Sequence, residues 1–274
     1  MKNYSKEDII NYYLTKPMTL KDVAKKFNLC VPTISKVLKE NNINIYTKTK
    51  LFSPQLDEDY FKIIDTENKA YFLGLIISDG CIFIQKSKQN SINICLQKCD
   101  KYLLEYFIKD IHTNKHITTD NRGCFEISIL STKMVEDLLK YGVTPRKSLN
   151  TIFPTNLNND MYPHLLRGII DGDGSIAFYK RKNRPNSYTK AIRLCQGNKK
   201  FLNDIVQFLH KEINTSIVSI YQEKESLWSI AYRSNDDILK IYNYLYKDAT
   251  IYMKRKKDKY TLIIQDIIKN NTSR

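Results

Sequence analysis

The chain has 274 residues, 42% of them hydrophobic, which excludes a disordered or low-complexity chain and leaves room for more than one folded module. Forty-four Lys and Arg against 29 Asp and Glu give a net charge of +15. Such a field attracts polyanions, of which nucleic acid is the commonest; a lysine bias from an AT-rich genome is the competing account, and the many Asn, Ile and Tyr residues fit it. MKNYSKEDII has no apolar core of a signal peptide, and no apolar run is long enough to span a bilayer. The expected setting is therefore the cytoplasm or wherever the nucleic acid lies, without membrane contact. The cysteines are Cys30, Cys81, Cys95, Cys99, Cys124 and Cys195. Cys95 and Cys99 have the spacing of half a metal site, but no second pair or nearby His completes it, so reduced, partly buried thiols are expected.

In chain order, residues 4–46 read as three short helices. Ile9, Ile10, Tyr13 and Leu14 share a face of the first. Thr19 caps the second, whose apolar stripe is Leu20, Val23, Ala24 and Phe27. A turn at Asn28, Leu29 and Cys30 follows. Pro32 then sits where a first helical turn tolerates it, and Ile34, Val37 and Leu38 form the buried face of the third helix. TLKDVAKKFNLCVPTISKVLKENNI resembles a helix-turn-helix segment, in which the third helix enters the major groove and exposes Thr33, Ser35, Lys36 and Lys39 to DNA. Residues 1–50 hold ten Lys and four acids, in keeping with that use. A three-helix interaction module without DNA contact is the plainer alternative. Residues 47–66, polar and with Pro54, read as a linker.

From residue 67 the chain repeats itself once. NKAYFLGLIISDGCIFI opens a first copy assigned to 67–150, and MYPHLLRGIIDGDGSIAF a second assigned to 151–274. Each is an apolar helix ending in Asp-Gly, then strand-like alternation. A second strand follows (Ser91–Gln97; Lys190–Cys195), then an amphipathic helix (Lys101–Ile111; Lys199–Ile213). A β-hairpin (115–130; 216–233) and a last helix (133–141; 236–245) complete each copy. The fold class is α+β, a pseudo-two-fold αββαββα pair with antiparallel sheets and a small all-α N-terminal module. Two copies in one chain imply an internal pseudo-dimer and a monomer in solution.

The first helix of each copy carries the chemistry. A mid-helix glycine costs about 1 kcal/mol, so Gly74 and Gly168 at matching places predict two helices that cross backbone to backbone. Asp79 and Asp173 close these helices, with Gly80 and Gly174 read as left-handed caps. A carboxylate at a helix C-terminus opposes the dipole, and two that approach each other repel. A divalent cation removes both penalties, and all-oxygen ligands select Mg²⁺, with Mn²⁺ as a substitute. An Asp-Gly pair alone is a common helix stop; two in matched contexts point to a site.

FLGLIISDG and LRGIIDGDG resemble the two LAGLIDADG motifs of single-chain homing endonucleases, and the likeness spans roughly residues 67–262. It implies two saddle-forming sheets in the major groove, with the motif helices as the internal interface. It implies metal ligation by Asp79 and Asp173, beside the backbone carbonyls of Ser78 and Gly172. The sixth motif position is Ile77 in the first copy and Asp171 in the second. By the same likeness a lysine and a polar residue from each half stand near the scissile phosphates. Matching TPRKS with MKRKK selects Lys147 and Lys256, to orient water or offset phosphate charge; a solvated basic run competes for Lys256. Gln97 with Lys98, and Gln196, are the polar candidates. Strand alternation turns Ile82, Ile84, Ile176 and Phe178 inward and Phe83, Gln85, Ser87, Ala177, Tyr179 and Arg181 toward the groove. Asn93, Cys95 and Arg193 face the same way from the second strands. The basic segment 180–190 forms a hairpin tip against phosphates.

The implied activity is hydrolysis of both strands of a long specific site. Water attacks phosphorus in line, metal stabilises the developing charge, and the 3′ oxygen leaves. A non-cleaving transcription regulator and an RNA maturase share the scaffold, but neither needs two crowded carboxylates.

Overall fold

The computed structural model describes residues 5–15, 18–43, 45, 56–85, 89–145, 147–182 and 184–272. They fall into two units, Met1–Leu56 and Asp57–Arg274. No described helix is long and apolar enough to cross a membrane.

The first unit is three helices, α1 (Lys6–Thr15), α2 (Leu20–Phe27) and α3 (Val31–Glu40). The N-terminus of α2 is closed reciprocally: the Asp22 amide donates to the Thr19 hydroxyl at 3.2 Å and the Thr19 amide to the Asp22 carboxylate at 3.0 Å. Asn28 ends the helix in a left-handed conformation, φ 52°. Ile9, Tyr13, Met18, Val23, Ala24, Phe27, Ile34, Val37 and Leu38 make one core. Leu14 does not join it and stands exposed. Thr33, Lys36 and Lys39 are exposed and Ser35 half-buried, with Lys36 3.9 Å from Glu40.

In the second unit each copy forms a four-stranded antiparallel sheet. The first holds α4 (Glu67–Asp79), β1 (Gly80–Phe83), β2 (Ser91–Leu96), α5 (Lys101–Asp110), β3 (Thr118–Thr119), β4 (Phe125–Leu130), α6 (Thr132–Lys140) and the short α7 (Lys147–Asn150). The second holds α8 (Tyr162–Asp173), β5 (Gly174–Arg181), β6 (Arg184–Gln196), α9 (Lys199–Ile213), β7 (Tyr221–Lys224), β8 (Leu227–Tyr232), α10 (Asn235–Tyr246) and α11 (Lys254–Thr272). Strand orders are β1-β2-β4-β3 and β5-β6-β8-β7. The expected linker is shorter than 47–66: residues 46–55 lie outside the described chain, and Tyr60, Phe61 and Ile64 are buried in the second unit. Ile84 also departs from expectation. β1 stops at Phe83, so the alternation ends and Ile84 is exposed.

Helices α4 and α8 cross at their glycines. A Cβ on Gly74 would lie 2.1 Å from the Leu165 carbonyl oxygen, and one on Gly168 2.2 Å from that of Tyr71. Backbone fills the space, so no rotamer change relieves either clash. Gly80 and Gly174 correct the reading as left-handed caps. Both are extended, φ −85° and −76°. Glycine is required there because the chain turns from helix directly into strand. A Cβ would lie 2.6 Å from Ile76 Cα in one copy and 2.4 Å from the Ile170 carbonyl oxygen in the other.

Candidate active site

The crossing sets the two motif helices side by side, so their C-terminal acids share one end of the interface. Asp79 and Asp173 are both half-buried. The site is shaped by Gly172: a Cβ there would fall 1.8 Å from the Ser78 hydroxyl and 3.1 Å from Asp79 Oδ2. The missing methyl leaves a cradle where Asp79 meets the second motif. The Ser78 hydroxyl donates back into the helix pair, 3.1 Å from the carbonyls of Gly74 and Leu75. The oxygens at this end of the helix pair are those of the two carboxylates and of the Ser78 and Gly172 backbones, a donor set whose chemistry suits a hard divalent ion.

A cavity of about 400 Å³ opens at Asp79, lined also by Ser78, Gln97, Arg122, Gly172 and Arg255. A second, of about 250 Å³, lies on the Gly174 side and shares Gln97 and Arg255. The two glutamines therefore stand beside the two acids. Gln97 is exposed in both cavities. Gln196 is buried, its Nε2 3.5 Å from Asp173 Oδ2, and its Oε1 accepts from the Gly197 amide.

The cations are arranged differently from the sequence reading. Lys256 is buried, and its Nζ donates to the carbonyls of Ile170 at 3.0 Å, Gly172 at 2.9 Å and Gly174 at 2.7 Å. All three ammonium donors go to the end of α8, where the helix dipole is negative. Burial pushes its pKa down to about 8, against the pull of Asp171, Asp79 and Asp173. Lys147 opens α7, and its side chain lies outside the described atoms. The guanidinium groups at the cavity are Arg255 and Arg122, which the sequence reading missed. Arg255 Nε donates to buried Asp100 at 2.8 Å, tying α11 to the first copy, and Arg122 pairs with Asp120 at 2.8 Å.

Asp171, at the sixth motif position, turns away from the cavity. It is fully buried and accepts from Tyr71 Oη and Tyr246 Oη at 3.0 Å each and from the Met253 amide at 2.7 Å. It thus joins both motif helices to the start of α11. Burial raises its pKa to about 6, outweighing these three donors. Between about pH 4 and 6 the folded chain keeps a proton that the unfolded chain has released, so this group's contribution to stability falls as pH rises through that window. We predict that wild type loses on the order of 2–3 kcal/mol relative to Asp171→Asn between pH 4 and 6. Denaturant titrations of both proteins across that range check it, and parallel pH profiles would refute it.

The groove-facing candidates are mostly open. Phe83, Gln85 and Tyr179 are exposed, Ala177 half-buried, and Arg193 is held by Glu223 at 2.6 Å. Asn93 Oδ1 is buried and accepts no hydrogen bond among the described residues. Ser87 and the Arg181 side chain lie outside them.

Residues 160–270 match the family model of the LAGLIDADG-like domain. No curated protein matches the chain. Among solved structures, the LAGLIDADG meganuclease I-AabMI bound to uncleaved DNA is 14% identical with a TM-score of 0.56, over 76% of this chain and 93% of that one. The homing endonuclease I-LtrWI bound to target DNA is 13% identical, TM-score 0.53, over 78% and 92%. I-GzeII in complex with its DNA target is 14% identical, TM-score 0.53, over 74% and 91%. The chain therefore carries a LAGLIDADG-like domain in its second copy and has, across both copies, the fold of the LAGLIDADG homing endonucleases.

Proposed function

We propose that the chain is a site-specific double-strand DNA endonuclease that acts with Mg²⁺, for which Mn²⁺ substitutes. The observation that carries the reading is the pair Asp79 and Asp173 at the shared end of two crossing helices, beside a Gly172 cradle and an arginine-lined cavity. The two carboxylates and the Ser78 and Gly172 carbonyls would hold the metal, which would supply Lewis acidity at the scissile phosphate. Gln97 and Gln196 orient the attacking water. Arg122 and Arg255 offset phosphate charge, a role we also assign to Lys147. Lys256 acts one step removed: by capping α8 it fixes the Gly172 carbonyl and Asp173.

DNA lies along the exposed sheet faces, read by Phe83, Gln85, Ser87, Asn93, Ala177, Tyr179, Arg181 and Arg193. The three-helix unit adds Thr33, Ser35, Lys36 and Lys39 as a tethered DNA anchor. The internal repeat makes a monomer sufficient.

Cleavage of a randomised duplex library, in Mg²⁺ and in Ca²⁺ or EDTA, with the ends sequenced, tests the reading. One enriched site cut on both strands only with Mg²⁺ is expected. Selective binding without cuts in any metal would overturn it in favour of a regulator or maturase. Deleting residues 1–46 is expected to weaken DNA affinity at least about 10-fold and to flatten its salt dependence. Unchanged affinity and slope would remove the anchor role.

A further inference from the structure

Cys95 has no complement in the local sequence, but the fold supplies one. Cys95 lies on β2, and the turn before β4 brings Asp120 and Cys124 against it, with the two sulfurs and a carboxylate oxygen all within 4.8 Å of one another. The turn is pre-shaped. Asp120 Oδ1 accepts the amides of Arg122 at 2.9 Å and Cys124 at 2.8 Å, and Gly123 takes φ +80°. The other oxygen, Oδ2, takes the thiol of Cys95 at 3.8 Å and the Arg122 Nε at 2.8 Å. Three donors of zinc type thus converge from two segments. None is fully buried, and Cys95, Cys124 and Arg122 line the same cavity as Asp79.

We propose that Cys95, Cys124 and Asp120 form a second metal site, for a thiophilic divalent ion such as Zn²⁺, with its fourth position open to that cavity. Bonds of about 2.0–2.3 Å in tetrahedral geometry place donors roughly 3.3–3.8 Å apart, so side-chain rotation within the observed cluster closes the site. Each thiol releases its proton to solvent on binding. Thiolates select a soft ion, whereas the oxygen set at Asp79 and Asp173 selects a hard one, so the two sites differ in metal. Because the ion takes Asp120 Oδ2, it displaces Arg122 from its ion pair. The freed guanidinium then turns to the cavity, and the hairpin that carries it is stapled to β2.

Co²⁺ uptake by the reduced full-length chain, followed by thiolate-to-cobalt absorption and Zn²⁺ competition, tests this without reference to cleavage. With excess Mg²⁺ present to occupy the oxygen site at Asp79 and Asp173, one thiolate-bound Co²⁺ per chain is expected, and Zn²⁺ displaces it. Cys95→Ser and Cys124→Ser should each abolish the band and weaken Zn²⁺ binding more than about 10-fold. Cys99→Ser and Asp79→Asn should leave it intact, which separates this site from the nuclease reading. Absence of a thiolate band in the reduced chain, or a band that survives both serine variants, overturns the proposal. So does an intact-mass loss of two hydrogens on air exposure in a chain that takes up no Co²⁺, which would make the pair a disulfide.

Discussion

Asp79→Asn and Asp173→Asn are each expected to lower double-strand cleavage by roughly 10³-fold or more while leaving site-specific binding in Ca²⁺ in place. The amide keeps the shape of the carboxylate and removes its charge, so DNA-contacting surfaces are untouched while the ion loses a ligand. Stability should move the other way. Both carboxylates sit at helix C-termini, where the dipole disfavours anions, at the shared end of α4 and α8. Lys256 and Arg255 attract these acids and offset part of that cost, so in metal-free buffer neutralising either acid should change the melting temperature little or raise it. This is the expected signature of a site that sacrifices stability for chemistry. Cleavage that persists in either variant would refute the assignment of the acids. A lowered melting temperature in EDTA would refute the electrostatic account of why a metal is needed there.

What could be read in the sequence was whatever local pattern fixes. Gly74 and Gly168 announced a close helix crossing because a mid-helix glycine is unfavourable without a reason, and carbonyl oxygens lie within about 2 Å of where a Cβ would stand. The repeated order of helix, strands and helices was legible because alternation and helical periodicity differ in kind. Roles set by what arrives from far along the chain were not legible. The sequence places Asp171 at the sixth motif position and gives it no role, whereas Tyr71, Tyr246 and Met253 enclose it. Lys256 looked like a phosphate-binding lysine, yet the end of α8 consumes all three of its donors. Its neighbour Arg255 reaches the cavity instead.

Helix α11 was missed for a related reason. Its first turns, KRKKDKY, read as a solvated basic run. Only Tyr260, Ile263 and Ile267, all fully buried, reveal the apolar stripe, and their spacing of three and four is clear only once the helix is known to continue. The first copy has just Lys147–Asn150 at the corresponding place. The two halves are therefore equivalent at the motif helices and unlike behind them, and the second copy alone carries the buried Asp171 and Lys256.

The strongest consequence of that asymmetry is expected at Arg167, a residue that the apolar character of the motif helix concealed. Its side chain is wholly buried. Nε donates to the Ile251 carbonyl at 2.8 Å, Nη1 to that of Leu245 at 2.6 Å, and Nη2 to Glu67 Oε1 at 2.5 Å. Glu67 opens α4 and also accepts the Thr250 amide and hydroxyl at 2.8 Å each. Burial would raise the Glu67 carboxyl, but the donors of Thr250 and Ile251 with the charge of Arg167 hold it below the ordinary carboxylate range. One guanidinium thus joins α4, α8 and the segment between α10 and α11. Arg167→Met should destabilise the second unit by about 3–5 kcal/mol, because it leaves two carbonyls and a largely buried carboxylate without their cation. Glu67→Gln should lose less, since an amide still accepts from Arg167 and Thr250. Combining Arg167→Met with Glu67→Leu should destabilise by less than the sum of the singles, because the second change removes the charge that the first one strands. Guanidinium unfolding of the single and double variants measures all three. A single-variant effect under about 1 kcal/mol, or strict additivity in the pair, would mean that the network contributes geometry and little stability.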